Sequence, residues 1–396
     1  MFFYYFYSLS IGVLYLPSAY VIETYGINRS VTLGMILTTV GLWSNYLSLP
    51  TIACIFVGIG MPFIMNTFTK VSASWFGPKG RNISTMILIL SYYIPEAIED
   101  ISQGTLCDIK IQIAIASTLV TPLTFLMIFK NPDFSPTMSE EERFISGVIP
   151  FRSQMKMLRE NKSYMMSTIA SGFILVASHQ LLRILEILYE NIHDQMREVS
   201  FLKELYVVCV MSGLLTFGMA LYSTLPIKFG YKLVLIQFSL IFILQIFVML
   251  VPSNVFLIII YVFNGLFRGG MMVIFYEMTA ELAFPVGESL SLGLLSTIHF
   301  LGRFIFNFIS SCLVSPLLTD SERIAEQDKY IWFYIMLIVF FIFMTVFALY
   351  LSFKNEYSMI RYDTDSLYFE DDEEGEGQEE EEDEVLKLAY KQPQII

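Results

Sequence analysis

Few ionisable residues interrupt the apolar runs of this sequence, and its chemistry must lie among them. A charged or imidazole side chain inside a bilayer is costly. Each one therefore marks a solute or ion pathway, or a partner for another buried charge. Tyr92, Glu96 and Glu99 are spaced i, i+4 and i+7, which sets them on one face of a helix. His299 and Arg303 are four apart and share a face in the same way. Arg268 breaks an apolar run beside Gly269 and Gly270, and His179 is followed by Gln180 and Arg183.

These residue types allow three chemistries. A carboxylate at Glu96 attracts a cationic solute or carries a proton; the alternative is an acid paired with Arg303 or Arg183. Glu99 lies nearer water, and there the pairing is the expected role. Arg268 and Arg303 can hold an anionic group such as a carboxylate, or serve as counter-charges to Glu96. An unpaired arginine at mid-membrane costs at least ~2.5 kcal/mol on insertion scales, so pairing is expected in either role. A histidine at 299 titrates near neutrality when unperturbed; the other reading is a neutral, hydrogen-bonded packing residue.

Other chemistries are not supported. Cys54, Cys107, Cys209 and Cys312 have no CxxC spacing and no histidine-rich company, so neither a zinc site nor a disulfide framework is expected. There is no Walker loop, no HExxH and no Ser/His/Asp arrangement with supporting context. No enzyme, no cofactor and no metal is expected.

The elements that must position these residues are membrane helices. Of the 396 residues 55% are apolar and only 15% charged, against about 25% charged in soluble domains. That excludes a water-soluble enzyme, a disordered chain and a nucleic-acid-binding protein. A spanning helix needs about 20 apolar residues. Candidates lie at 2–22, 31–49, 51–70, 83–100, 111–129, 163–183, 204–224, 231–251, 254–276, 289–313 and 330–353. They give an all-α membrane protein of about 11 helices in a 5 + 6 arrangement. The first run has no charged leader and no small-residue cleavage site, which argues against a signal peptide.

The expected division is a five-helix bundle over 1–129, a cytoplasmic loop over 130–162, a six-helix bundle over 163–353 and a disordered tail over 354–396. A short amphipathic helix is expected near 150–160. From Lys354 onward the tail carries 15 acidic and 4 basic residues, a net of −11 out of −13 for the whole chain. The acidity therefore says nothing about the solute. Lys and Arg crowd the loops on the 23–30 side, among them Arg29, Lys79, Arg81, Lys130, Arg152 and Lys156. The opposite side has Lys110, Arg197, Lys203, Arg323 and Lys329. The positive-inside bias puts the 23–30 side and the carboxy terminus in the cytoplasm. The sequons at Asn28, Asn82 and Asn161 fall on that side and are expected to be unused.

Two six-helix halves short of one helix resemble a major facilitator superfamily transporter lacking its first helix. The stretch PSAYVIETYGINR (17–29) resembles the loop after the second helix of that superfamily, with Glu23 and Arg29 at its charged positions. A weaker echo, LPIKFGYK, stands at 225–232 in the second half. Two further stretches, GMPFIMNTFTKVSASWFGPK (60–79) and YEMTAELAFPVGESLSLGLL (276–295), resemble signatures of the feline leukaemia virus subgroup C receptor-related transporters, solute carrier family 49.

That resemblance implies alternating-access transport of a small organic solute. Members of the family are linked to choline and ethanolamine, with haem proposed for some and pyridoxine for another branch. It implies gating roles for Glu23 and Arg29, and a latch joining Glu277 and Glu281 to Lys79 or Arg81. It puts Tyr92 and His299 where the family's substrate-lining glutamines stand. It puts Val176 where the second half has an aromatic residue suited to a quaternary ammonium. These are departures from the choline pattern. The substrate-lining candidates are thus Tyr92, Glu96, His179, Arg268, His299 and Arg303. A monomer spanning the plasma membrane or an organelle membrane is expected. The rivals are a non-transporting receptor or sensor, a truncated gene product, and a transporter of an organic anion read by Arg268 and Arg303.

Overall fold

The computed structural model describes residues 2–76, 78–101, 149–192 and 254–313, together with 117–119 and scattered positions within 205–243 and 339–350. The spans expected at 111–129, 204–224, 231–251 and 330–353 lie largely outside these residues. So do most of the central loop and the whole acidic tail. Among the described residues all regular structure is α-helical.

The first half contributes α1 (Phe2–Tyr25), α2 (Ile27–Tyr46), α3 (Pro50–Met65), α4 (Phe68–Trp75) and α5 (Pro78–Ile101). The loop and second half contribute α6 (Phe151–Glu160), α7 (Lys162–Ile192), α8 (Asn254–Ala283) and α9 (Glu288–Leu313). Local chemistry sets several of these limits. Gly26 separates α1 from α2 at φ 86°, a conformation glycine adopts without a Cβ clash. Proline opens α3 and α5, where its missing N–H has no helical partner to lose. The Asn161 side chain accepts the Tyr164 N–H at 2.9 Å and so caps the start of α7.

The expected span 51–70 falls within the longer stretch Pro50–Trp75, which is not one continuous helix. The helix breaks at Asn66–Thr67 and resumes as α4 to Trp75. The reason is a buried polar knot. The Asn66 Nδ2 donates to Tyr15 O at 3.2 Å and to Ser18 Oγ at 3.1 Å, beside Pro17 in α1. The span expected at 163–183 also runs on, as α7, to Ile192. Among the described residues three stretches are long and apolar enough to cross a membrane: Pro50–Trp75, Ile258–Ala283 and Glu288–Ile309.

Within the first half α2 and α3 approach closely through glycines. A Cβ on Gly34 would meet Gly60 O at 2.8 Å, and one on Gly41 would meet Val57 N at 2.9 Å. Small residues allow such contact where no water drives helices together. In the second half α7, α8 and α9 pack on one another. The halves meet along α1 and α9, which run antiparallel. Glu23 stands against Gly287, Ala19 against Gly293, and Gly12 against Leu301. Beside this seam α5 packs on α8 and α4 on α9.

Candidate functional site: the seam between the bundles

At one end of the seam, buried charges from both halves meet. Arg81 of α5 lies 3.5 Å from Glu281 of α8, with side chains 3% and 6% exposed. One turn along each helix, the Thr85 hydroxyl is hydrogen-bonded to the buried Glu277 carboxylate and, at 2.8 Å, to Ser72 of α4. Four-residue spacing on both helices produces this ladder: 81 and 85 face 281 and 277. Burying a carboxylate is costly unless it is paired or hydrogen-bonded; Glu281 has the ion pair and Glu277 the hydrogen bond.

The α1–α9 contact ends in a second charged cluster. Lys70 of α4 holds Glu23 Oε2 at 2.6 Å. The other Glu23 oxygen lies over Gly287, where a Cβ would meet it at 2.5 Å. Gly287 precedes the first residue of α9, so the carboxylate faces the positive end of that helix. The Gly287 N–H itself donates to Gln154 Oε1 of α6 at 3.1 Å. Phe151 of α6 meets Tyr20 of α1 edge-on at 5.2 Å between ring centroids. The loop helix therefore touches both halves at this end of the seam.

Deeper along α9, Phe300 stacks on Tyr15 at 5.6 Å across the seam. His299 and Arg268 are buried there, at 2% and 4% exposure, and Arg303 is half-buried. Arg303, one turn on from His299 in α9, and Arg268 of α8 both stand within electrostatic range of it. Asn264, one turn from Arg268, reaches Ser178 O of α7 at 3.5 Å. Val176 packs where a Cβ on Gly302 would stand, at 2.7 Å. It is a wall between α7 and α9, not a cage for a cation.

Of the sequence candidates, the structure places Arg268 and Arg303 near His299 and pairs Arg81 with Glu281, while Glu277 meets Thr85 and Glu23 meets Lys70, neither partner being a candidate. Arg29 is exposed on α2. Tyr92, Glu96, Glu99 and Lys79 fall within α5 and His179 within α7, but their side chains lie outside the described residues. Sequence reasoning missed Lys70, Ser72, Thr85, Gln154, Asn66 and Gly287 as members of the seam. Lys70, Ser72 and Asn66 stand in the 60–79 stretch and Gly287 in the 276–295 stretch. The signal was present, but no spacing rule links it to a partner.

No protein-family model matches the chain. An uncharacterised MFS-type transporter of Caenorhabditis elegans is 22% identical over 354 residues, covering 78% of this chain and 59% of the relative. The chain thus spans little more than half of that relative's length. Among solved structures it is similar to the major facilitator superfamily transporter FucP in the outward conformation. The TM-score is 0.60 and the identity 12%, over 87% of this chain and 88% of that one. A variant of the E. coli fucose:proton symporter FucP gives 0.62 and 11%, over 88% and 91%. The chain has the major facilitator fold, a multi-pass membrane architecture of two helical bundles. The proteins it is similar to are transporters, not enzymes.

Proposed function

We propose that this protein is a secondary-type transporter that moves a small organic solute by alternating access, its two bundles rocking about the α1–α9 seam. One observation carries the reading: Arg81 and Glu281, one from each half, form a buried ion pair at one end of the seam. A permanent interface gains little from such a pair, because well-packed apolar side chains of the same size serve as well or better. Charges that rehydrate on separation suit an interface that opens. The Glu23–Lys70 pair lies within the first half and is partly exposed, but its carboxylate stands against Gly287 at the start of α9 in the second.

By the charge bias of the loops this end is cytoplasmic, so the conformation described is closed to the cytoplasm. Opening inward separates Arg81 from Glu281, Thr85 from Glu277 and Glu23 from Gly287. Glu23, Arg81, Glu277 and Glu281 then act as the gate, with Arg29 and Lys79 the remaining candidates. Tyr92, Glu96, His179, Arg268, His299 and Arg303 are the solute-lining candidates. The narrower resemblance, to the feline leukaemia virus subgroup C receptor-related transporters, is supported by the stretches at 60–79 and 276–295. It makes choline, ethanolamine and haem the first solutes to try. The test is uptake by the purified chain in proteoliposomes. Saturable uptake of an organic solute supports the reading, and none across a panel of cations, anions and neutral solutes sinks it.

A further inference from the structure

Resting on the transporter reading, we propose that the basic face of α6 is a docking surface for the chain's own acidic stretch, 370–384, and that this contact holds the cytoplasmic end of the seam closed. Arg152, Lys156 and Arg159 are spaced i, i+4 and i+7, so they form one stripe along α6, and all three are exposed. Gln154 and Leu158 lie on the other side of the helix, buried at 5% and 2% exposure. Lys162, exposed at the start of α7, extends the stripe. Among the described residues the one ion pair on this face joins Lys156 to Glu160 at 3.8 Å, with side chains 74% and 43% exposed. Four bases against one acid leave a net charge of +3 facing water.

The buried side of α6 is already covered by protein. Leu158 belongs to the core, with Phe151 and Met155 packed against it. Gln154 accepts the Gly287 N–H of α9, and Asn161, just past the end of α6, donates to Leu282 O. A helix that lies on a membrane puts its apolar side into the lipid; here that side rests on the bundle. The basic stripe faces away from the helix ends that α6 covers, toward the cytoplasm by the charge bias of the loops. The helix also crosses the seam, since Phe151 meets Tyr20 of α1 while Gln154 holds the start of α9. A ligand that keeps α6 in place therefore opposes the parting of α1 from α9.

The stretch 370–384 lies outside the described residues, and its sequence and its tether make it the matching occupant. It carries twelve Asp and Glu in fifteen residues and no Lys or Arg. The same charge bias puts it on the α6 side of the membrane. It starts seventeen residues after Phe353, where the last expected span ends. Seventeen residues reach at most ~60 Å, several helix diameters of about 10–12 Å, so the whole end of the bundle is within range. Each exposed ion pair is weak. A tethered ligand makes up for that weakness, because its effective concentration is high. The contact is also salt-sensitive, because nothing shields it from counterions.

The experiment uses the purified full chain in nanodiscs of phosphatidylcholine, a lipid without net charge. A carbodiimide joins a lysine amine to a carboxylate in contact with it, and peptide mass spectrometry locates the bond. The expected result is a link from Lys156 or Lys162 to 370–384 at low salt. It should be lost at about 1 M salt, where the screening length is ~3 Å, and in the double variant Arg152→Glu, Arg159→Glu. The reporter of closure is Ala19→Cys, fully buried against Gly293. A maleimide, read at residue 19, should label it about threefold or more faster in that double variant, as loss of several screened surface pairs predicts. Replacing the twelve acids of 370–384, Asp→Asn and Glu→Gln, should speed labelling as much and leaves α6 untouched. Links from α6 only to Glu140–Glu142 or Glu160, or from 370–384 only to lysines elsewhere, overturn the proposal. So does labelling indifferent to the tail, or labelling slowed only by added phosphatidylserine, which assigns the face to lipid. Each of these leaves the transporter reading standing. No labelling in any variant overturns both, because this end of the seam then does not open.

Discussion

The Glu23 carboxylate occupies the space a side chain on Gly287 would fill. A Cβ there would meet Oε1 at 2.5 Å and Cδ at 2.6 Å. Lys70 holds the second oxygen at 2.6 Å, so the carboxylate cannot swing aside without breaking that pair. Gly287→Ala should therefore weaken the closed end of the seam. The reporter is Ala19→Cys, a fully buried position against Gly293. In inside-out vesicles a membrane-impermeant maleimide should label it faster when Gly287 is alanine. Equal rates would mean that the glycine is incidental to closure.

The Arg81–Glu281 pair makes a different demand. Removing one partner of a buried ion pair leaves the other uncompensated and typically costs roughly 3–5 kcal/mol. Arg81→Met and Glu281→Leu should each lower the melting temperature of the purified protein. Arg81→Met with Glu281→Leu should lose much less than the sum, because no charge is left stranded. Additive losses in that cycle would show that the two residues do not act on one another.

The parts legible in the sequence were those that local patterning controls. Long apolar runs gave helix positions, and Pro78, Asn254 and Glu288 start helices close to where the runs begin. The amphipathic helix expected near 150–160 is α6, because Gln154 and Leu158 share its buried face while Arg152, Lys156 and Arg159 point to solvent. What stayed hidden is non-local. The break in the third span depends on Asn66 finding Ser18, 48 residues away. Glu23 finds Lys70 across 47 residues. Thr85 and Glu277 are separated by 192. No periodicity encodes such pairs. The Arg81 partnership with the 277–281 region was within reach only through a resemblance.

Close helix contact in the first half can be tested at Gly60. A Cβ there would meet Thr38 Oγ1 at 2.6 Å, Gly34 O at 2.7 Å and Thr38 N at 2.9 Å. Two of these are backbone atoms, which have no rotamer to escape into. Gly60→Ala should destabilise the protein by about 1–3 kcal/mol, the range for overpacking, despite the helix propensity alanine adds. An unchanged melting temperature would mean that α2 and α3 are not in backbone contact at this point.

Asn161 offers the most discriminating substitution, because its two amide ends serve two helices. Its Oδ1 accepts the Tyr164 N–H at 2.9 Å and caps α7, while its Nδ2 donates to Leu282 O at 3.0 Å, near the end of α8. The last carbonyls of a helix have no partner within it, so the amide satisfies one orphan group at each end. Asn161→Ala loses both bonds and should cost about 1–2 kcal/mol. Asn161→Asp keeps the cap acceptor, removes the donor and brings a negative charge to the carbonyl end of α8, where the helix dipole is unfavourable to it. Aspartate is an excellent cap elsewhere, yet here it should rescue little of the loss seen with alanine. Melting curves of the two variants decide the point. Full rescue by aspartate would mean that the cap on α7 carries all of the effect and that the bond to Leu282 contributes none.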